Sequence, residues 1–115
     1  MSTAPAAPEI PTVRYFLVLL LPGSNHAAAD RHLAAHVDFI DAMTAANVVL
    51  LGGAFAPAID GADAAYLLHT ASAAAAEEWA SKDPFVANAV YEPRIVAWDL
   101  VGISRAAIDP AFRDG

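Results

Sequence analysis

The chain has 115 residues, one-domain size, and is 57% hydrophobic against 17% charged, which is enough for a packed core and far from a disordered composition. Six Lys plus Arg against 13 Asp plus Glu leave a formal charge of −7, and there is no basic stripe to meet phosphates, so nucleic acid and anionic membrane surfaces are set aside as partners. No cysteine is present, which excludes disulfides, thiolate metal sites and cysteine nucleophiles and fits a cytoplasmic location.

The opening stretch "MSTAPAAPEIPT" lacks the basic and apolar regions of a signal peptide, and its prolines and scarcity of packing groups predict a loose tail over residues 1–12. Residues 13–21, "VRYFLVLLL", are β-prone and stop at Pro22-Gly23, a turn signal. This apolar run is too short to cross a bilayer, which takes about 20 residues. A helix is predicted over residues 30–46, capped by Ser24 or Asp30. On its wheel Leu33, His36, Val37, Ile40, Met43 and Asn47 share one arc, with Asp38 and Asp41 outside it. "NVVLLGGAF" reads as a second strand, "AIDGAD" as a turn and "AAYLLHTA" as a third strand. "SAAAAEEWASK" is a second helix with Ser72 at its N-cap, ended by Asp83-Pro84 because the residue before proline avoids the α region. "VYEPRIVAWDLV" is the fourth strand, and residues 103–115 are a short tail with at most one turn around "DPAF".

The order β-α-β-β-α-β is the ferredoxin-like split βαβ unit, an α+β fold with one domain over residues 13–102. Right-handed crossovers predict an antiparallel sheet in the order 4-1-3-2 with both helices on one face. Strand 4 is then an edge, where Pro93 costs no ladder donor. The first strand is apolar on both sides: Tyr15, Leu17, Leu19 and Leu21 point one way, Phe16, Val18 and Leu20 the other. Two helices cover one face only, so the other face predicts a homodimer packed sheet to sheet.

Few residues can carry chemistry. His36 is either a core histidine bonded to backbone or a general acid/base, since imidazole titrates near neutral pH. His32 lies one turn before it, but two histidines are short of the three or four ligands a zinc site takes, and His26, His69 and Asp83 have no telling spacing, so no metal is expected. Asp83 before Pro84 is an N-cap by position and, functionally, a carboxylate able to orient an imidazole. Trp79, Phe85, Tyr91 and Trp98 are core or pocket walls. "LGGAF" is no phosphate loop, and no cofactor is expected. Arg94 is a surface charge or a receiver of an anionic substrate.

These segments together resemble the YCII-related (YciI-like) family over residues 13–100. The resemblance rests on "HVDFIDAMTAANVVLLGGAF", on "SAAAAEEWA" and most specifically on "DPFVANAVYEPRIVAW". His36, Gly53, Ser72 and Asp83-Pro84-Phe85 occupy the family's motif positions. The resemblance implies a dimeric α+β barrel of ferredoxin-like subunits, with a His/Asp pair lining a cleft. One branch of the family resembles dehydrochlorinases of chlorinated hydroquinones, and the fold is shared with muconolactone isomerases and with non-enzymatic domains. The chain departs from the pattern at Asn47 for a helix-ending glycine, at Ala54 for a proline, and at Leu33 for an arginine present in some members. The resulting expectation is a small cofactor-independent lyase or isomerase acting on a small cyclic or aromatic compound. His36 and Asp83 are its catalytic pair, and Phe85, Ser72 and Arg94 its substrate contacts. The alternative is a ligand-binding or dimerisation module of the same fold.

Overall fold

The computed structural model of the chain describes residues 13–102, so both expected tails, 1–12 and 103–115, lie outside the described residues. Strand β1 spans Val13–Pro22, a 3-10 turn His26–Ala28 leads into helix α1 at Ala29–Ala45, and β2 (Val49–Ile59) and β3 (Ala62–Leu68) follow. Helices α2 (Ala73–Ser81) and α3 (Pro84–Ala87) then precede β4 (Tyr91–Leu100). The four strands form one antiparallel sheet in the order β2-β3-β1-β4, the expected order read from its other edge. Among the described residues no helix is long and apolar enough to cross a membrane.

Local chemistry explains where the elements begin and end. The β2–β3 hairpin is longer than "AIDGAD" suggested, because only Asp60 and Gly61 turn. Both have positive φ (49° and 83°), the pattern a two-residue hairpin of right-handed twist demands. Strand β2 therefore runs on to Ile59 and β3 begins at Ala62. Neither Ser24 nor Asp30 caps α1. The N-cap is Ala28, with no side-chain bond, and the preceding 3-10 turn delivers the chain instead. Asp30 sits in the first turn, where its charge suits the helix dipole. Asn47, just past the helix, takes φ 63°, as an asparagine ending a helix can. Ser72 caps α2 by accepting the Ala75 N–H at 3.1 Å.

Phe16, Val18 and Leu20 of β1 meet Tyr66 and Leu68 of β3 on one sheet face, and Ala76 and Ala80 of α2 press onto it without exposure. Each large apolar side chain buried there contributes about 1.5–3 kcal/mol. Ile40 and Met43 of α1 pack against the same cluster, so both helices cover one face. On the other face Tyr15, Ala65 and Leu67 are buried, while part of the apolar surface is open. Leu17 pairs across β1 with Leu67 and Val96, Tyr15 with Trp98, and Leu51 with Leu67. Leu51, Val96 and Trp98 are exposed there.

The expected apolar arc of α1 divides in two. Ile40 and Met43 pack on the core, but Leu33 and Val37 remain 49% and 45% exposed, and no residue of α1 is fully buried. The reason lies opposite: Gly52, Ala54 and Ala64, on the helix-facing side, supply almost no side-chain volume, so the first half of the helix stands over a hollow.

Candidate functional site

His36 sits on the half of α1 that stands over this hollow, one turn before Ile40 anchors the helix to the core. Asp83 reaches the same place from α3. It caps that short helix by accepting the Phe85 N–H at 2.9 Å, and Pro84 at the first helical position has no N–H to leave unpaired. The two side chains meet with His36 Nδ1 2.8 Å from Asp83 Oδ1.

Asp83 is fully buried, and the His36 side chain is 16% exposed. The Asp83 carboxylate accepts a third bond on its other oxygen, from the Tyr66 hydroxyl at 3.4 Å. A buried carboxylate needs such donors, because desolvation otherwise costs several kcal/mol, on the order of the penalties for burying an ion. Burial first, and then the adjacent Asp83 charge, push the Tyr66 hydroxyl far above its ordinary pKa, so it stays a donor. Since the Asp83 carboxylate can only accept, His36 donates from Nδ1, and Nε2 is the ring nitrogen left over. Among the described residues no protein group bonds to it. Phe85 stacks on the His36 ring, with centroids 4.1 Å apart and planes 12° from parallel, and fixes its rotation.

The hollow is a cavity of ≈ 600 Å³ between α1 and the β2–β3 side of the sheet, lined by His36, Leu33, Val37, Phe85 and Tyr66 among others. That size, with apolar walls and a few convergent polar groups, is the usual build of a small-molecule site. Gly52 helps to open it. A Cβ there would sit 2.8 Å from Tyr66 Cβ, displacing the tyrosine that bonds to Asp83. Gly53, the glycine singled out from sequence, faces open space.

The structure brings together His36, Asp83 and Phe85, and not the other two expected contacts. Ser72 is occupied as the α2 cap and does not line the cavity. Arg94 pairs with Leu19 on the sheet face away from the helices, as strand alternation directs, and does not line this cavity. His32 does not line the cavity either. Among the described residues no group of three or more His, Cys, Asp or Glu is placed to hold a metal. Sequence reading missed Tyr66 as a partner of Asp83. The signal was present in the alternation of "AYLL", which puts Tyr66 and Leu68 on the helix-facing side. A second polar cluster, His26, Tyr91 and Asp63, also lines the cavity.

A four-stranded antiparallel sheet with two main helices on one face and split βαβ connectivity is the subunit fold of the dimeric α+β barrel proteins. Within that class the chain belongs to the YCII-related domain family, whose model matches residues 15–98. The fold is similar to that of the solved 5-chloro-2-hydroxyhydroquinone dehydrochlorinase from Burkholderia phenoliruptrix AC1100, in complex with 2,5-dihydroxybenzoquinone. The TM-score is 0.57 at 14% sequence identity, over 75% of this chain and 93% of that one. At that identity the likeness speaks to fold alone. The search of curated proteins found no match.

Proposed function

We propose that the protein is a small enzyme that needs no cofactor or metal, a lyase or isomerase acting on a small cyclic or aromatic compound. His36 is the general acid/base, and Asp83 holds its tautomer and offsets the charge of the imidazolium. The observation that carries this reading is the 2.8 Å contact between His36 and a fully buried carboxylate at the wall of a cavity of ≈ 600 Å³. In the reaction Nε2 takes a proton from a C–H or O–H of the bound ring, and the electron pair left behind moves into the ring. Expulsion of a leaving group from the neighbouring carbon then makes the step an elimination. Return of the proton to a different carbon makes it an isomerisation. The structural neighbour is named for a dehydrochlorination, which is the elimination form, and that support is analogy of fold.

The test is a turnover screen of halogenated and unsaturated ring compounds with the wild type and His36→Asn. Turnover that the variant lacks supports the enzyme reading. A cavity that binds ring compounds and turns none over favours the rival, a binding module. For that rival one observation speaks: Asp83 already has a structural task as the cap of α3.

We also propose a homodimer joined through the sheet face opposite the helices. Exposed Leu51, Val96 and Trp98 on that face support it, as contiguous apolar surface of this kind marks an interface. A monomeric mass by light scattering at micromolar concentration would count against it. A cytoplasmic location fits the cysteine-free composition, and nucleic acid has no part in the proposal given the charge of −7.

A further inference from the structure

The cavity has a second polar group that the acid/base pair does not use. Four rings run in a row along its wall. His36 stacks on Phe85, Phe85 leans on Tyr91 with centroids 5.2 Å apart, and Tyr91 meets the edge of His26 at 5.1 Å. All four line the cavity. His36 and Asp83 hold one end of the row. At the other, the Tyr91 hydroxyl donates to Asp63 Oδ2 at 3.0 Å, and His26 Nε2 lies 3.2 Å from the same hydroxyl.

The direction of these bonds is set by proton count. The Tyr91 proton goes to Asp63, so the phenolic oxygen must accept, and His26 Nε2 must carry a proton to donate. Burial and the bond to Asp63 both keep the Tyr91 hydroxyl protonated beyond its ordinary range. Both donors of the cluster are thereby engaged within it. What it offers a ligand is acceptor capacity: among the described residues no protein donor reaches Oδ1 of Asp63. Asp30 and Asp41 line the same cavity, and among the described residues no Lys or Arg does. A cleft lined by carboxylates of one sign carries a negative potential, which salt weakens.

We infer that His26, Tyr91 and Asp63 form a second anchor, in which Asp63 accepts a hydrogen bond from the hydroxyl of an uncharged ring compound and the cavity turns away carboxylates. Tyr91 and His26 are positioning residues that pin the Asp63 carboxylate. The inference rests on the small-ring reading of the cavity. It adds what that reading leaves open, namely which polar group the ring carries and which residue reads it.

The test is calorimetric titration of the full chain at neutral pH and fixed ionic strength with three probes: hydroquinone, 1,4-dimethoxybenzene and 4-hydroxybenzoate. Hydroquinone should bind about 10-fold or more tighter than the dimethoxy ring, which lacks donors, as expected for one hydrogen bond to a charged acceptor. It should exceed 4-hydroxybenzoate by at least as much. Asp63→Asn should erase the preference over 4-hydroxybenzoate, because it removes the charge. Tyr91→Phe should narrow both preferences and serves if the first variant does not fold. Unchanged preferences in both variants overturn the inference, and so does binding of no probe by the wild type at millimolar concentration. His36→Asn separates the two readings. Lost turnover with intact probe preferences supports both. Preferences that collapse in His36→Asn but survive in Asp63→Asn assign the hydroxyl to His36, which overturns the second anchor and leaves the acid/base reading standing.

Discussion

Two histidine–carboxylate pairs look onto one cavity, and they are built in opposite ways. In the first, Asp83 is fully buried and the His36 side chain 16% exposed, with Nδ1 and Oδ1 2.8 Å apart. In the second, His26 and Asp63 are 45% and 36% exposed and lie 3.5 Å apart, with Tyr91 as intermediary. Water screens the second pair, so its contribution to stability is small and falls with salt. The first pair lies where the dielectric is low, so a change that strands the donors around Asp83, or leaves its carboxylate without a donor, is costly. The same two residue types thus give a rigid pair suited to moving a proton and a soft pair suited to meeting a ligand.

The largest expected effect breaks the comparison on the chemical side. His36→Asn keeps size and polarity at one edge of the ring but cannot take up and release a proton near neutral pH. Turnover should fall by roughly 10²–10⁴, with melting temperature and oligomeric state little changed. Full activity in the variant would remove His36 from the mechanism. Loss of wild-type activity on chelation would revive His32 and His36 as metal ligands.

Asp83→Ala should be the most destabilising change of the set. It removes a helix cap, worth about 1 kcal/mol, and strands the Phe85 N–H and Tyr66 O–H, at about 1–3 kcal/mol. A urea midpoint shift equivalent to about 2–4 kcal/mol is expected. If Asp63→Ala shifts the midpoint as far, burial is not what separates the pairs.

Tyr66→Phe sharpens the comparison through pH. At neutral pH the loss of one hydrogen bond to Asp83 should cost about 1 kcal/mol. The Tyr66 pKa is raised above its unfolded value of 10.0, so the folded state holds its proton more tightly. Its contribution is therefore complete below pH 10 and is lost as pH climbs beyond it. The deficit of the variant should shrink above that pH, and unfolding curves at pH 7 and pH 10.5 would reveal it. A deficit independent of pH would deny the link between Tyr66 and the buried carboxylate. The smallest effect belongs to the exposed pair: Asp63→Asn should change stability by less than about 0.5 kcal/mol, and high salt should leave even that difference smaller.

The strand order and the placement of both helices were legible because each rests on periodicity, which is local. "VRYFLVLLL" alternates between two apolar faces, and "SAAAAEEWA" opens on a capping serine. His36 and Asp83 were legible as a pair only through the family motif, since nothing in a spacing of 47 residues brings two side chains together. The hollow under α1 was not legible. Leu33 and Val37 have the spacing of core residues, and their exposure depends on the glycines and alanines of β2 and β3 opposite. Arg94 was read as a surface charge or a substrate contact, and only the register opposite Leu19 shows that it lies on the face away from the helices.

Asp83 serves two masters. It starts α3 and it holds the imidazole of His36. Selection for nothing more than a folded chain would therefore keep the carboxylate, while the histidine is retained only where its proton is used. A lineage that abandoned the chemistry would shed His36 first and carry Asp83, Pro84 and Phe85 forward unchanged. On the acid/base reading proposed above, the histidine, rather than the more durable aspartate, is the residue whose loss would date the loss of activity.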